Sequence, residues 1–204
     1  MSVTIYGIAA SRTMRPLWAA LELGIDFEHV PVATGPVGSR KPEFQSLNPN
    51  GKIPALKDGD LVLFESMAID WYLVRRYDNG KGLAPRDLRE EALALQWTLW
   101  AVTEVEKPVL DWAFNAFVWP EEKRDPKIAE ASMAAMQAPL QVLEAALAGR
   151  QWLVGERFTI ADLNVAATLY RLLKADLPHV PNVQNWLHRC LERPAALAMR
   201  KMRE

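Results

Sequence analysis

The residue pattern changes once along the chain, at the turn-forming stretch Asp78-Asn79-Gly80-Lys81-Gly82. Before this stretch, short apolar runs typical of strands alternate with helical periodicity, whereas after it the periodicity is helical throughout. The pattern therefore predicts a linker from Asp78 to Arg86, between a mixed domain at 1–78 and an all-helical domain at 87–204. The length of 204 residues, half of them apolar, is sufficient for two such cores.

The first domain is predicted to contain a four-stranded mixed α/β sheet covered by helices. Its first strand, helix and second strand occupy roughly 30 residues, which favours parallel pairing through a right-handed crossover. Asp58-Gly59 lies between two apolar runs and signals an antiparallel hairpin. This β-α-β, β-β-α order, with an irregular or helical stretch in its middle, is that of a thioredoxin-like domain. Strands are predicted at 3–6, 28–32, 53–57 and 61–64, and helices are predicted to end at Gly24 and to span 66–77.

The second domain is predicted to be a bundle of helices without strands. Thr159 and Asp162 have the spacing of a helix N-terminal capping box. The basic residues near the end, Arg200, Lys201 and Arg203, are expected to be solvated. Helices are predicted at 86–117, with an interruption near Pro108, and at 126–147, 159–175, 182–193 and 194–204.

Composition and motifs exclude several classes of function. The 24 basic and 25 acidic side chains nearly cancel, so we expect no nucleic-acid partner. Cys190 is the single cysteine, which excludes an internal disulfide, a cysteine-rich zinc site and a CxxC redox centre. Phosphate-loop, zinc-protease and esterase motifs are missing, and no histidine spacing suggests a metal site or a triad. With no signal-like start and no apolar run of roughly 18 residues, a cytoplasmic protein with no membrane partner is expected.

The first feature that could carry chemistry is the loop of small residues from Tyr6 to Pro16, between the first strand and the first helix. A helix cap at Thr13 puts Pro16 among the amides that lack a helical partner, whereas a cap at Ser11 would put it beyond the first turn. The first arrangement leaves the Ser11 hydroxyl free in the loop. The alternative, in which Ser11 itself caps the helix, stays open.

Two further features follow in the same domain. Ile53-Pro54 interrupts an apolar strand, which suggests an edge and a cis peptide bond that turns the Ile53 amide and carbonyl outward to hold a peptide. A plain entry from loop to strand is the alternative. Glu65-Ser66 opens a helix, where free amides and a hydroxyl can receive a carboxylate and Glu65 can pair with an ammonium group. Ser66 as a simple helix cap is the alternative.

Taken together, these residues resemble the glutathione transferase family. The resemblance covers essentially the whole chain. It comprises the strand-loop-helix with Ser11, the Asn-Pro-x-Gly-Lys-Ile-Pro-Ala-Leu stretch at 48–56, Glu65-Ser66 before an apolar helix, and Thr159-Ile-Ala-Asp162 after Trp152-Leu153-Val154-Gly155. Each motif alone is weak, but four in the family's order and spacing are specific.

The resemblance implies that glutathione is a co-substrate, bound by the thioredoxin-like domain of a homodimer. By position, Ser11 resembles the hydroxyl that hydrogen-bonds the glutathione sulfur. Ile53 and Pro54 resemble the pair that holds the cysteinyl backbone, and Glu65 with Ser66 resembles the pair that receives the γ-glutamyl end. Basic residues that meet the glycyl carboxylate correspond to Lys52, with Arg40 or Lys41 as further candidates, and Glu104 is a candidate for a contact from the neighbouring subunit.

The resemblance also implies attack by the bound thiolate on a small apolar electrophile. The candidate wall of that second site consists of Ala9, Ala10, Met14, Trp112, Phe114, Phe117 and Trp119. Ser11 with Arg15 is similar to the serine classes, theta-like or phi-like, and the missing cysteine between Tyr6 and Pro16 excludes the cysteine classes. Tyr6 is the alternative catalytic hydroxyl, although its place in an alternating strand favours a core or pocket-wall role. Glutathione-dependent reduction of peroxides or disulfides, and a non-catalytic binding module, are the alternative functions.

Overall fold

The computed structural model describes residues 3–203, so Met1, Ser2 and Glu204, which the predicted domains include, lie outside the described residues. The chain forms two compact units. The first takes the described residues up to Ala84 and from Arg193 onward, and the second is Pro85–Glu192. The strands are β1 Val3–Tyr6, β2 Phe27–Val30, β3 Ala55–Asp58 and β4 Leu61–Phe64; the helices are α1 Met14–Leu23, α2 Pro42–Gln45, α3 Ser66–Tyr77, α4 Leu88–Trp100, α5 Glu106–Ala113, α6 Pro126–Ala146, α7 Ile160–Leu169, α8 Pro181–Leu191 and α9 Pro194–Lys201.

The first unit is built on a four-stranded sheet in the order β2-β1-β3-β4. β1 pairs parallel with β2, while the β1–β3 and β3–β4 pairs are antiparallel, which confirms the predicted mixed sheet and hairpin. Ile5 and its partner Leu56 are fully buried, as are Leu17 and Trp18 of α1. α1 ends as predicted at Gly24, whose φ of 64° suits a residue without a side chain.

The last helix belongs to the first unit, whereas the sequence assigned it to the second domain. α9 packs against α1. Arg193 forms a bidentate ion pair with Glu22, from Nε to Oε1 at 2.7 Å and from Nη2 to Oε2 at 2.8 Å. Arg203 is half-buried and donates to the Ala9 carbonyl at 2.8 Å, so the expected solvated end is wrong at this residue. These contacts join residues more than 170 positions apart, which local periodicity does not reveal.

The second unit consists of helices joined by loops and contains no strand among its described residues, as predicted. The predicted interruption near Pro108 takes the form of a widened π-helical turn at Ala101–Val105, between α4 and α5. Proline lacks an amide hydrogen, so the helix loses a regular bond at this point and relaxes before it. No helix among residues 3–203 is long and apolar enough to span a membrane.

The predicted capping box at the start of α7 is confirmed. The Thr159 side chain accepts a hydrogen bond from the Ala161 amide, and the Asp162 carboxylate accepts one from the Thr159 amide at 3.0 Å. Asp162 also accepts from the Leu153 amide and from Trp186 Nε1, each at 2.9 Å. Burial raises the pKa of Asp162 to about 6, and the hydrogen bonds oppose this shift. One carboxyl group therefore ties the start of α7 to α8 and to the preceding loop.

Candidate functional site

Ser11 lies in the loop between β1 and α1, and α1 begins after a cap at Thr13, as the position of Pro16 predicted. The hydroxyl of Ser11 is not free, however. It donates to the Ile8 carbonyl at 2.7 Å, and its oxygen accepts the Thr13 amide at 3.1 Å and lies 2.9 Å from Thr13 Oγ1. The reason is the tight turn from Ile8 to Ser11, which brings that carbonyl within reach of the side chain.

Gly7 brings this loop against the segment that contains Ile53. A methyl group at Gly7, whose φ is 132°, would lie 2.2 Å from Thr13 Oγ1 and 2.9 Å from Ile53 Cβ, so only glycine permits the approach. The Ile53-Pro54 peptide bond is cis, as predicted, but the predicted sheet edge is wrong: β3 begins after Pro54 and lies between β1 and β4. Among residues 3–203, neither the amide nor the carbonyl of Ile53 has a hydrogen-bond partner. An extended peptide could pair with both groups.

α3 begins directly after β4, at the predicted Glu65-Ser66 pair. Glu65 has a φ of 70°, which is rare for a residue with a side chain and costs on the order of 1–3 kcal/mol. Such strain concentrates at binding and catalytic sites. Ser66 is the first residue of the helix and is buried, so its hydroxyl and the free amides of the first turn are a candidate site for an anion, which we call the carboxylate site.

Two residues that the sequence analysis did not assign to the site lie next to Ser66. Arg15 of α1 is buried and donates from Nη1 to Ser66 Oγ at 3.0 Å. Asp70, one helical turn after Ser66, is fully buried, and neither of its oxygens has a hydrogen-bond partner among the described residues. Burial raises the pKa of Asp70 well above its usual range, and the positive charge of Arg15 opposes this shift. The sequence signal for Asp70 was a carboxyl group at an otherwise apolar position of α3.

The basic residues proposed for the glycyl carboxylate lie where two loops of the first unit meet. Ser39 donates to the Gly51 carbonyl at 2.7 Å, and Asn48 donates to the Lys52 carbonyl at 2.5 Å, so the loop before α2 lies beside the 48–53 turn. The side chains of Arg40, Lys41 and Lys52 are all exposed. Three cations are thus available on one part of the first unit.

Tyr6 is half-buried and lines a cavity with Val30, Phe44 and Leu47, between the sheet and α2. It therefore has the pocket-wall position that its strand predicted. In the loop that follows, Ala10 is exposed, whereas Ala9 and Met14 are buried, with Arg203 against Met14 Sδ at 3.2 Å.

The four aromatic candidates of the second unit form two ring pairs. Trp112 is buried with its ring 5.4 Å from that of Phe117, and Phe114 lies 5.3 Å from the exposed ring of Trp119. Lys174 Nζ lies 4.6 Å from the centre of the Phe117 ring. Glu104, in the widened turn, is exposed. The unit therefore presents an aromatic cluster next to a cation.

Comparison with known proteins identifies the family. The family model "Glutathione S-transferase, N-terminal domain" matches residues 1–75, and "Glutathione S-transferase, C-terminal domain" matches residues 105–194. Glutathione S-transferase PARB of Nicotiana tabacum is 32% identical, over 96% of this chain and 95% of that protein.

Two solved structures extend the comparison. The theta class enzyme of Xanthomonas axonopodis pv. citri, with glutathione bound, has a TM-score of 0.89 and 32% identity, over 97% of this chain and 96% of that one. Ure2p5 of Phanerochaete chrysosporium, cocrystallized with 1-(S-glutathionyl)-2,4-dinitrobenzene, has a TM-score of 0.85 and 27% identity, over 99% and 94%. The chain therefore belongs to the glutathione S-transferase family and is a glutathione transferase with glutathione as its co-substrate.

Proposed function

We propose that Ser11 activates glutathione by donating its hydroxyl hydrogen bond to the sulfur and so stabilising the thiolate. The support is the position of Ser11 in a loop that touches Ile53, immediately before the start of α1. On glutathione binding, the Ser11 hydroxyl rotates from the Ile8 carbonyl to the sulfur, while the Thr13 amide keeps hold of its oxygen. Positioning of the reacting atoms then supplies much of the remaining rate.

The energetic change that this step requires is modest. A free thiol has a pKa of about 8.5, and each unit of lowering takes about 1.4 kcal/mol. The rotation exchanges a neutral hydrogen bond worth about 1 kcal/mol for one to a charged group worth about 1.5–3 kcal/mol, and the helix start adds about 0.3–1 kcal/mol. The net gain corresponds to a lowering of the thiol pKa by about one to two units.

The rest of glutathione is proposed to lie along the first unit. The cysteinyl backbone pairs with the amide and carbonyl of Ile53 beside Pro54, and the γ-glutamyl carboxylate occupies the carboxylate site at Ser66. Glu65 pairs with the γ-glutamyl ammonium group. The glycyl carboxylate meets Lys52, with Arg40 and Lys41 as further cations, and all three are exposed to receive it.

The second substrate is proposed to be a small apolar electrophile. The aromatic cluster of Trp112, Phe114, Phe117 and Trp119 supports an apolar substrate, as does the aryl conjugate in the Ure2p5 structure. Ala10 is the exposed candidate for a substrate contact in the first unit. With an aryl chloride, the thiolate forms a sulfur–carbon bond and chloride leaves with the electrons of the broken bond. A cytoplasmic location stays a prediction from the sequence.

A homodimer is proposed as the working form. Leu88, Leu95 and Leu99 of α4 and Val102 just after it are exposed at spacings of seven, four and three, which makes an apolar stripe on one helix face. Exposed apolar stripes of this kind mark interaction sites. Glu104 follows this stripe and is the proposed charged contribution to the partner's glutathione site.

The test follows the ultraviolet absorbance of the thiolate while enzyme with bound glutathione is titrated with base. We expect Ser11→Ala to raise the apparent thiol pKa by about one unit, whereas the exposed control Ser46→Ala leaves it unchanged. An unchanged value in Ser11→Ala would remove Ser11 from the mechanism and return attention to Tyr6. Faster turnover of a hydroperoxide than of 1-chloro-2,4-dinitrobenzene would favour the reductase, and retention on immobilised glutathione without turnover would favour a binding module.

A further inference from the structure

The buried Arg15, Ser66 and Asp70 form a polar cluster beneath the surface of the first unit. Arg15 donates to the Ser66 oxygen at 3.0 Å, so that oxygen is occupied and the hydrogen of the Ser66 hydroxyl is available to a ligand. Asp70 is fully buried without a hydrogen-bond partner for either oxygen among residues 3–203. An ionised carboxylate that is buried without hydrogen bonds is energetically costly. The ionisation of Asp70 therefore depends on the charges around it.

Among residues 3–203, Arg15 is the charged group whose field acts on Asp70. α3 packs against α1, β3 and β4, and β4 has no charged residue. On β3, Asp58 is held by Tyr72 and Tyr77. The remaining charged side chains of these elements are either exposed or paired elsewhere: Lys57 on β3 and Arg75 and Arg76 on α3 are exposed, and Glu22 on α1 is held by Arg193.

The charge on Asp70 decides how much of the Arg15 charge an anion at Ser66 experiences. When Asp70 is protonated, it does not offset the positive charge of Arg15, and this charge favours a carboxylate at the helix start, together with the free amides. When Asp70 is ionised, it neutralises Arg15 and draws the guanidinium away from Ser66. A carboxylate at Ser66 and a negative charge on Asp70 therefore compete for one cation.

We propose that Asp70 is a positioning residue that controls, through Arg15, the affinity of the carboxylate site for the γ-glutamyl end of glutathione, so that binding takes up a proton. This inference rests on the proposed role of Ser66 as the site of the γ-glutamyl carboxylate. By linkage, affinity falls as pH rises through the ionisation of Asp70, and a bound carboxylate makes Asp70 harder to ionise. Since burial raises the pKa of Asp70 well above its usual range, this effect falls above the pH range in which ordinary carboxyl groups titrate.

The test is isothermal calorimetry of S-methylglutathione binding to the full-length enzyme, in buffers of different ionisation enthalpy. S-methylglutathione has no thiol, so protons released from sulfur do not contribute. We expect net proton uptake by the wild type and a dissociation constant that rises about three- to tenfold between about pH 5 and about pH 9. Asp70→Asn should take up no proton and bind with a flat pH profile, whereas Asp60→Asn, which removes an exposed carboxyl of the same unit, should behave as the wild type.

Proton uptake that persists in Asp70→Asn, or is missing in the wild type, would overturn the inference. If Asp70→Asn does not fold by circular dichroism, Asp70→Thr provides a second neutral side chain for the same measurement. If the wild type fails to bind S-methylglutathione at all, the proposed glutathione site itself is wrong. If it binds without pH-dependent uptake, only the role of Asp70 is wrong.

Discussion

The hydroxyl of Tyr72 donates to Asp58 Oδ2 at 2.7 Å, which ties α3 to the turn of the β3–β4 hairpin. Tyr77, further along the same helix, donates to the same oxygen. The two tyrosine rings meet edge to face, with their centres 6.4 Å apart. The hairpin end is thus held by one carboxyl group and two phenols.

Removing the Tyr72 hydroxyl should weaken this tie. We expect Tyr72→Phe to lower the free energy of unfolding by about 1–2 kcal/mol, because the lost bond is to a charged acceptor. Urea denaturation measures it, and a double variant with Tyr77→Phe should show that the two losses are not additive, since both phenols share one oxygen. Strictly additive losses would indicate that the two bonds act independently.

The same tie should make stability depend on acid pH. Hydrogen bonds lower the pKa of Asp58, and the bond from Tyr77 has a larger effect than the bond from Tyr72. The stabilisation is therefore present above the usual value of 3.8 and is lost as pH falls through the lowered pKa. Thermal melts across this range should show a smaller acid loss in the double phenylalanine variant than in the wild type; equal losses would assign the acid sensitivity to other groups.

A second acid-sensitive contact lies in the other unit, where Arg157 grips Glu90 with bonds of 2.9 and 2.7 Å. These bonds lower the pKa of Glu90 from 4.5 to about 2, so their stabilisation disappears as pH falls from about 4.5 towards 2. Arg157→Lys keeps the positive charge but cannot form both hydrogen bonds. We expect it to lower the free energy of unfolding by on the order of 1–2 kcal/mol at neutral pH. Denaturant unfolding at pH 7 measures this difference in stability. An unchanged stability would show that the ion pair contributes as little as an exposed surface pair.

Asp70 should show the opposite pH dependence. Because its pKa is raised in the folded chain, the native state holds a proton that the unfolded state has lost, and stability falls as pH rises from 3.8 through the folded value. We expect Asp70→Asn to be more stable than the wild type above this range, by about 1–3 kcal/mol, and similar to it in acid. Calorimetric melts at several pH values decide it, and a variant that is less stable at every pH would show that the carboxyl group is needed for packing.

The apolar stripe on α4 predicts how the chain assembles. We expect Leu99→Glu to convert the protein from dimer to monomer, because it buries a charge in the proposed interface. Val142→Glu, at a similarly exposed apolar position of α6, is the matched control and should leave the dimer intact. Sedimentation velocity measures both variants, and a wild type that sediments as a monomer would refute the dimer.

Local signals in the sequence were sufficient for the elements of the fold and for the approximate positions of the proposed site. Pro16 located the cap at Thr13, because proline cannot stand where an amide must donate, and Pro54 indicated the cis bond by its place in an apolar run, just before β3 begins. The partner of the Ser11 hydroxyl, the burial of Asp70 and the grip of Arg15 on Ser66 were not predicted. Each depends on where distant segments meet, and no spacing rule describes that.

The return of α9 to the first unit has a consequence for synthesis on the ribosome. Pro85–Glu192 is one continuous stretch that contains every segment of its own core. The sheet and α1, although made earliest, lack the helix that covers α1 until residues 193–203 have emerged. The unit that carries the proposed glutathione site therefore completes its packing only after the whole of the second unit has been synthesised.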